Sequence, residues 1–284
     1  MASRLSPQLF AILSGLVEDR LGLQHTADDL PFFSEKVTTR AAEAGFENIL
    51  DYYYFLRYDP AAAAELESLT DALVVGETYF FRELEGLRAA VDHVLVPTVA
   101  RKGRARVWSA ACATGEEPLS MAMLLAEAGI DDRCQIVATD VSQRAIARAR
   151  EGTYTTRAMR LMPPGPPPAG WTAKLAGIAS EAIVRESNRV RVSPAAVAAI
   201  DYRQLNLLDA DAVKDLGSFE LILCRNVLIY FADATVVRVV ASLAEALADD
   251  GSLLVGASAS LLRFGTVLQC TERGGAFFYT RGHS

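Results

Sequence analysis

Two kinds of hydrophobic spacing divide the chain. From Ser6 to about Leu73, apolar residues recur at helical intervals, with Leu9, Ile12, Leu13, Leu16 and Val17 in one stripe and Phe46, Ile49, Leu50, Tyr53 and Tyr54 in another. Ser6 followed by Pro7 is a cap residue ahead of a first-turn proline, so a small all-helical domain is predicted over residues 1–73. After "VVGETYFFRE" (Val74 to Glu83) the pattern changes. Predicted strands at Arg106–Ala111, Gln135–Asp140, Ala199–Leu208, Phe219–Val227 and Gly251–Ser258 alternate with helical stretches near Pro118–Ala128, Ser142–Glu151 and Asp233–Ala248. That rhythm predicts an α/β fold with a doubly wound, mostly parallel sheet over residues 91–284, and residues 74–90 as a linker. "GAFFYT" (Gly275 to Thr280) is expected to be a terminal strand pairing antiparallel at the sheet edge. Between Gly152 and Val192 the rhythm is lost. "MPPGPPPAGW" (Met162 to Trp171) cannot be a helix interior, so an irregular insertion is expected near residues 152–192.

A doubly wound sheet binds ligands outside the carboxyl ends of its strands. The first such end lies in "RVWSAACATGEEP", Arg106 to Pro118. A dinucleotide loop would read G-x-G-x-x-G, whereas this one has Ala111 and Ala113 and keeps only Gly115. Glu116 and Glu117 open the next helix and would repel a phosphate, so the facing part of a ligand is expected to be neutral or cationic. Either Glu is also explained by complementing the helix dipole. Asp140 ends the second strand 25 residues after Gly115, near the offset at which a carboxylate accepts hydrogen bonds from ribose hydroxyls, although an Asp there also caps helices. Adenosine joined to a cationic, phosphate-free remainder describes S-adenosylmethionine; NAD is the weaker fit. Asn206 follows the third strand, where an amide can face an adenine edge beside Leu207 as an apolar wall. Arg225, Asn226 and Tyr230 interrupt an otherwise apolar strand end. In "GETYFFRE", Thr78 and Arg82 are candidates to face the cleft, Arg82 as a carboxylate clamp; an ordinary surface arginine beside Glu83 and Glu85 is the alternative.

Composition narrows the function class. With 51% hydrophobic and 22% charged residues the chain reads as globular, and no apolar run reaches the roughly 18 residues of a membrane span. "MASRLSPQLF" has no signal-peptide pattern, so a cytoplasmic enzyme is expected. A net charge of −7 disfavours a nonspecific nucleic-acid binder, and residues 1–70 hold much of the acidic excess, with five basic against eleven acidic residues. Cys112, Cys134, Cys224 and Cys270 form no C-x-x-C pair, which suggests neither a metal site nor a disulfide framework.

In order and spacing, "ETYFFRE", "RVWSAACATGEEP", "ATDVSQRAIARAREGTY", "NLLD" and "FELILCRNVLIYF" resemble the chemotaxis receptor methyltransferases of the CheR type, and "LSPQLFAILSGLVEDRLGL" is similar to that family's helical domain. The resemblance implies S-adenosylmethionine-dependent esterification of glutamate side chains on the cytoplasmic part of chemoreceptors, with S-adenosylhomocysteine as product and neither nucleic acid nor membrane insertion involved. It implies that Gly76, Thr78, Arg82, Glu117, Asp140, Asn206, Leu207, Arg225 and Asn226 line the cofactor, with Arg82 and Tyr230 nearest the transferring methyl. Near Arg185 to Val192 the family can carry a small β-subdomain that docks on a receptor tail. Three departures stand out. Gly76 replaces the Asn of the family's usual "NET", "GASAS" (Gly256 to Ser260) replaces "GHSES", and only Lys36 and Arg40 remain of the basic residues usually presented to an acidic receptor helix. A cofactor-binding scaffold without turnover, or an enzyme with another acceptor, are the competing readings.

Overall fold

The computed structural model describes residues 5–159, 184–186, 189–257 and 259–282. Its first unit is helical: α1 (Pro7–Leu21), α2 (Leu30–Glu43), α3 (Ile49–Tyr58) and α4 (Ala63–Leu73). Ser6 caps α1, its hydroxyl accepting from the Leu9 N–H at 3.2 Å with Pro7 in the first turn. Leu13, Leu16, Phe33, Val37, Tyr52, Leu56 and Leu69 close the core.

The stripe predicted for α3 holds in part: Phe46, Ile49 and Tyr53 pack against the helical core, but the centre of the buried face lies beside them. Tyr52 and Leu56 are the buried residues, while Leu50 and Tyr54 are 37% and 51% exposed. A polar network accommodates the buried Tyr52: its hydroxyl donates to Glu65 Oε1 at 2.6 Å, and Arg40 binds both Glu65 oxygens. Burial, with Glu65 beside it, pushes the Tyr52 hydroxyl well above its ordinary pKa, so it serves as a fixed donor. Hydrophobic periodicity carries no signal for such a contact.

The second unit is a seven-stranded sheet of β1 (Ala105–Ala110), β2 (Cys134–Asp140), β6 (Ile200–Gln204), β7 (Phe219–Cys224), β8 (Leu247–Val255), β9 (Leu268–Arg273) and β10 (Ala276–Arg281), in the order β6-β2-β1-β7-β8-β10-β9. The strands from β6 to β8 are parallel, and β10 runs antiparallel between β8 and β9. Helices cover both faces. Val107, Ile136 and Leu221 pack in one cluster with residues of α7 (Glu116–Glu127), and Trp108, Val137 and Ile222 pack in the other with α11 (Asp233–Glu245). Burial on both sides is why these strands read as continuous apolar runs.

Three differences from the predicted elements have local causes. "GAFFYT" forms the antiparallel β10 but is not the edge strand: β9 lies outside it, and its residues alternate only weakly between buried and exposed, so they give no strand signature in the sequence. β8 begins at Leu247 instead of Gly251: Phe219 pairs with Leu247 but Leu221 with Ser252, and the irregularity absorbs Asp249 and Asp250. Ahead of β1, α5 (Leu84–Ala90), a π-helical turn at Val91–Leu95 and α6 (Val96–Lys102) form a helical stretch that buries Leu87, Ala90 and Leu95 against the sheet.

Between α8 (Gln143–Glu151) and α9 (Pro194–Ala198), β3 (Thr153–Thr155), β4 (Val184–Glu186) and β5 (Arg189–Arg191) make a small antiparallel sheet in the order β3-β5-β4. The proline-rich segment lies outside the described residues.

The helical unit is seated over the carboxyl ends of the parallel strands. The Gln24 N–H donates to the Tyr230 carbonyl at 2.8 Å, and the Ser142 hydroxyl donates to Asp71 Oδ1 at 2.5 Å. Gly22, at φ 76°, makes the approach possible, since a Cβ there would lie 3.0 Å from the Thr235 methyl.

Candidate functional site

Strand order reverses between β1 and β7, and the cleft expected at such a switch point opens above it. The linker supplies Gly76, Thr78 and Arg82; the turn after β1 supplies Ala111, Ala113 and Glu117; the tip of β2 supplies Asp140; the turn after β6 supplies Asn206 and Leu207; and the turn after β7 supplies Arg225, Asn226 and Tyr230. Every residue that the resemblance implies for the cofactor and the methyl group therefore borders one cleft. It encloses about 1090 Å³, open mouth included.

The surrounding loops are held in uncommon backbone conformations. Among the described residues, the non-glycine positions with positive φ are Phe81, Glu83, Ala111, Ala113 and Asn226, at 48° to 62°, and all lie on segments bordering the cleft. Each costs about 1 kcal/mol or more, which the rest of the fold offsets to hold these loops in place. Gly115, at φ 93°, closes the turn after β1 where a Cβ would come within 2.8 Å of Ala149 Cβ on α8.

Arg225 organises the charge. Its side chain is 2% exposed, and its guanidinium contacts Glu117 Oε2 at 2.9 Å and Glu83 Oε2 at 3.3 Å while donating to the Arg82 carbonyl. Glu117 also accepts from the Ser109 hydroxyl at 2.7 Å, and Glu83 accepts from Asn226 Nδ2 and the Ala257 N–H, each at 3.1 Å. Burial pushes both carboxyls up. For Glu117 it outweighs Arg225 and Ser109, leaving the pKa raised; for Glu83 the Arg225 charge and the two N–H donors prevail and hold it below the usual range. Glu83 escapes sequence reasoning, which treats it as a neighbour of Arg82. Its signal was its place in the quoted "ETYFFRE".

The two carboxylates at the start of α7 part company. Glu117 faces the cleft, whereas Glu116 is buried beneath the turn and accepts from the Thr114 hydroxyl at 2.7 Å, so only one of the pair borders the cleft. Asp140 is buried and accepts from the Ala113 N–H at 2.8 Å and the Ser142 N–H at 2.9 Å. The side-chain cap of α8 is Ser142, not Asp140. Each Asp140 oxygen keeps a lone pair for a further donor. The Asn206 amide is engaged: Nδ2 donates to the Arg20 carbonyl at 2.8 Å and Oδ1 accepts from the Leu208 N–H at 3.0 Å, so this residue ties the helical unit to the cleft floor. Arg82 donates to the Glu77 carbonyl at 3.0 Å and makes no ion pair among the described residues.

The donor set suits a sulfonium nucleoside. The first turn lacks the glycines and N–H cradle of a phosphate site, a buried carboxylate stands where ribose hydroxyls would donate, and Glu117 adds negative charge. Fold and site together define an S-adenosylmethionine-dependent methyltransferase. Residues 76–274 match the family described as CheR methyltransferase, SAM binding domain. The chain belongs to the CheR methyltransferase family.

Relatives agree over most of their length. Chemotaxis protein methyltransferase 2 of Vibrio cholerae is 30% identical over 243 residues, covering 83% of this chain and 80% of that protein. Chemotaxis protein methyltransferase 1 of Pseudomonas aeruginosa is 35% identical over 208 residues, covering 69% and 70%. The probable biofilm formation methyltransferase WspC of Pseudomonas aeruginosa is 30% identical over 251 residues, covering 87% of this chain and 56% of that protein. No helix among the described residues is long and apolar enough to cross a membrane.

Proposed function

We propose that the chain methylates glutamate side-chain carboxylates on the cytoplasmic part of a chemoreceptor or a related signalling protein, and acts in the cytoplasm. One observation carries the reading: of the two arginines on the cleft, Arg225 is consumed by two glutamates, while Arg82 has no carboxylate partner among the described residues. A carboxylate acceptor entering the cleft meets that cation. The named chemotaxis relatives support the same acceptor class, and the WspC relative supports extending it beyond motility receptors.

Asp140, Glu117, Leu207 and Arg225 are the residues assigned to hold the cofactor, which when bound supplies a methyl group on a sulfonium cation. A glutamate with a pKa near about 4.3 is already ionised at neutral pH, so no general base is needed. Arg82 orients the acceptor carboxylate, and the Tyr230 hydroxyl, which makes no hydrogen bond among the described residues, adds a weaker donor. Opposite charges disappear as the methyl moves, so walls such as Leu23, Leu207 and Phe231 aid reaction by excluding water. Alignment alone can contribute roughly 7–11 kcal/mol.

The direct test is transfer of labelled methyl to receptor-bearing membranes. Label released as methanol by mild alkali is the expected result; alkali-stable label, or none with any receptor tried, overturns the proposal. Tyr230→Phe is expected to leave S-adenosylhomocysteine binding within twofold of the parent and to lower kcat about tenfold, the effect of one modest hydrogen bond. An equal loss in binding would remove Tyr230 from the acceptor side. Gly76 is exposed, and a Cβ there meets no atom within 4 Å, so Gly76→Asn is sterically free. Restoring the family's amide is expected to tighten S-adenosylhomocysteine binding by about three- to tenfold in calorimetry. Unchanged affinity would mean that this position does not reach the cofactor.

A further inference from the structure

The segment that begins the small three-stranded sheet touches two walls of the cofactor cleft without lining it. Tyr154 on β3 is buried, and its hydroxyl donates to the Thr114 carbonyl at 2.8 Å. Thr114 sits between Ala113 at φ 48° and Gly115 at φ 93°, in the turn whose Ala113 N–H is held by Asp140. Four residues after Tyr154, the Ala158 carbonyl accepts from the Phe80 N–H at 2.8 Å, and the Phe80 ring stands edge-on to the Tyr154 ring at 4.9 Å. Phe80 lies midway between Thr78 and Arg82. β3 is in turn paired with β5, and the Val192 N–H donates to the Gly152 carbonyl at 2.8 Å.

We propose that Tyr154 is a positioning residue for the cofactor: through the Thr114 carbonyl it holds the turn after β1 in the conformation that presents Ala113 and Asp140 to the ligand. The turn resists relaxation only while its polar groups are satisfied. Ala111 and Ala113 are in a region that L-residues leave readily, and the bonds opposing that are the Cys112 N–H to the Thr139 carbonyl (2.9 Å), the Gly115 N–H to the Cys112 carbonyl (3.0 Å), Ala113 to Asp140, and Tyr154 to Thr114. The first three lie within or below the turn; the fourth reaches it from the small sheet. A carbonyl left without its partner turns toward water and takes its peptide unit along. Tyr154 is not among the cleft-lining residues, so its hydroxyl acts on the cofactor through that turn, while its ring backs Phe80 in the linker. Displacement of the small sheet is thereby coupled to cofactor affinity.

Tyr154→Phe removes the hydroxyl and keeps the ring against Phe80. The expected result is S-adenosylhomocysteine bound about tenfold more weakly, about 1.4 kcal/mol, with faster amide hydrogen exchange across residues 110–116 in the free protein that bound ligand restores. In the methyl-transfer assay, KM for S-adenosylmethionine rises about tenfold while kcat stays within about twofold. Val192→Ala, which opens a cavity beside the same segment but keeps the hydroxyl, is the control: it lowers the melting temperature and leaves S-adenosylhomocysteine affinity within about twofold. Unchanged affinity and exchange in Tyr154→Phe overturn the proposal, as does equal loss of affinity in the two variants, which would mean that binding follows overall stability. Calorimetry and exchange need no acceptor, so their outcome is independent of which protein is methylated.

Discussion

Asp140→Ala is expected to abolish measurable binding of S-adenosylhomocysteine, a loss of more than about a hundredfold. The carboxylate does three things at once. It satisfies the Ala113 and Ser142 N–H groups, it thereby shapes the turn after β1 and the start of α8, and it keeps lone pairs directed at the cleft. Two ribose hydroxyl bonds to a charged acceptor, at about 1.5–3 kcal/mol each, already exceed the roughly 2.7 kcal/mol of a hundredfold loss, and the unpaired Ala113 and Ser142 N–H groups free the turn that shapes the site. Asp140→Asn should fare little better, because an amide offers only one acceptor oxygen for two backbone donors. Affinity within tenfold of the parent in either variant would show that the nucleoside lies elsewhere.

The same residue predicts a pH dependence. Burial pushes the Asp140 carboxyl above its ordinary 3.8, against the pull of the Ser142 and Ala113 N–H groups. A raised pKa in the folded state means that its contribution to folding stability is greatest below 3.8 and declines as pH rises through the raised value. Binding runs the other way. A ligand that donates hydroxyl hydrogens prefers the carboxylate, so affinity should fall as pH drops from neutrality through that raised value, while the protein remains folded. Calorimetry across this range, with melting curves alongside, checks both signs.

Arg225→Met is expected to cost about 3–5 kcal/mol of stability, because it leaves Glu117 and Glu83 facing each other in a desolvated wall without their cation. For a chain of this size that is a fall in melting temperature of roughly 10 °C. Adding Glu117→Gln should recover part of the loss by neutralising one stranded carboxylate, without restoring cofactor binding. Acid unfolding gives a further check. Glu83 has a depressed pKa, so its stabilisation is present above the ordinary 4.5 and is lost as pH falls through the depressed value. Without Arg225 only the Asn226 and Ala257 N–H donors oppose burial, so the Glu83 pKa rises and the acid transition moves to higher pH. A melting temperature within about 2 °C of the parent would mean that Arg225 is not the centre of the network.

Much of this was legible along the chain. Apolar runs buried on both faces announced the parallel strands, the breaks in those runs marked their tips, and the polar residues at the tips, Asp140, Asn206, Arg225 and Asn226, do converge on one cleft. Residue type and short-range spacing suffice for this, because a doubly wound topology always brings the carboxyl ends of its strands to the same side. What those residues do to one another was not legible. Arg225 meets Glu117 and Glu83 across 108 and 142 residues of chain, Asn206 turns its amide to Arg20, and Glu116 and Glu117, adjacent and identical, end in a buried turn and in a ligand wall. On α3 the Tyr52–Glu65 bond accompanies a buried tyrosine that the apolar stripe omits, and the left-handed alanines of the turn after β1 carry no mark in their composition. Periodicity records which side of an element is apolar. Which polar groups become partners, and which peptide units must bend to meet them, depends on distances set only when the sheet and the helical unit have packed, and it is there that the charge balance of this cleft is established.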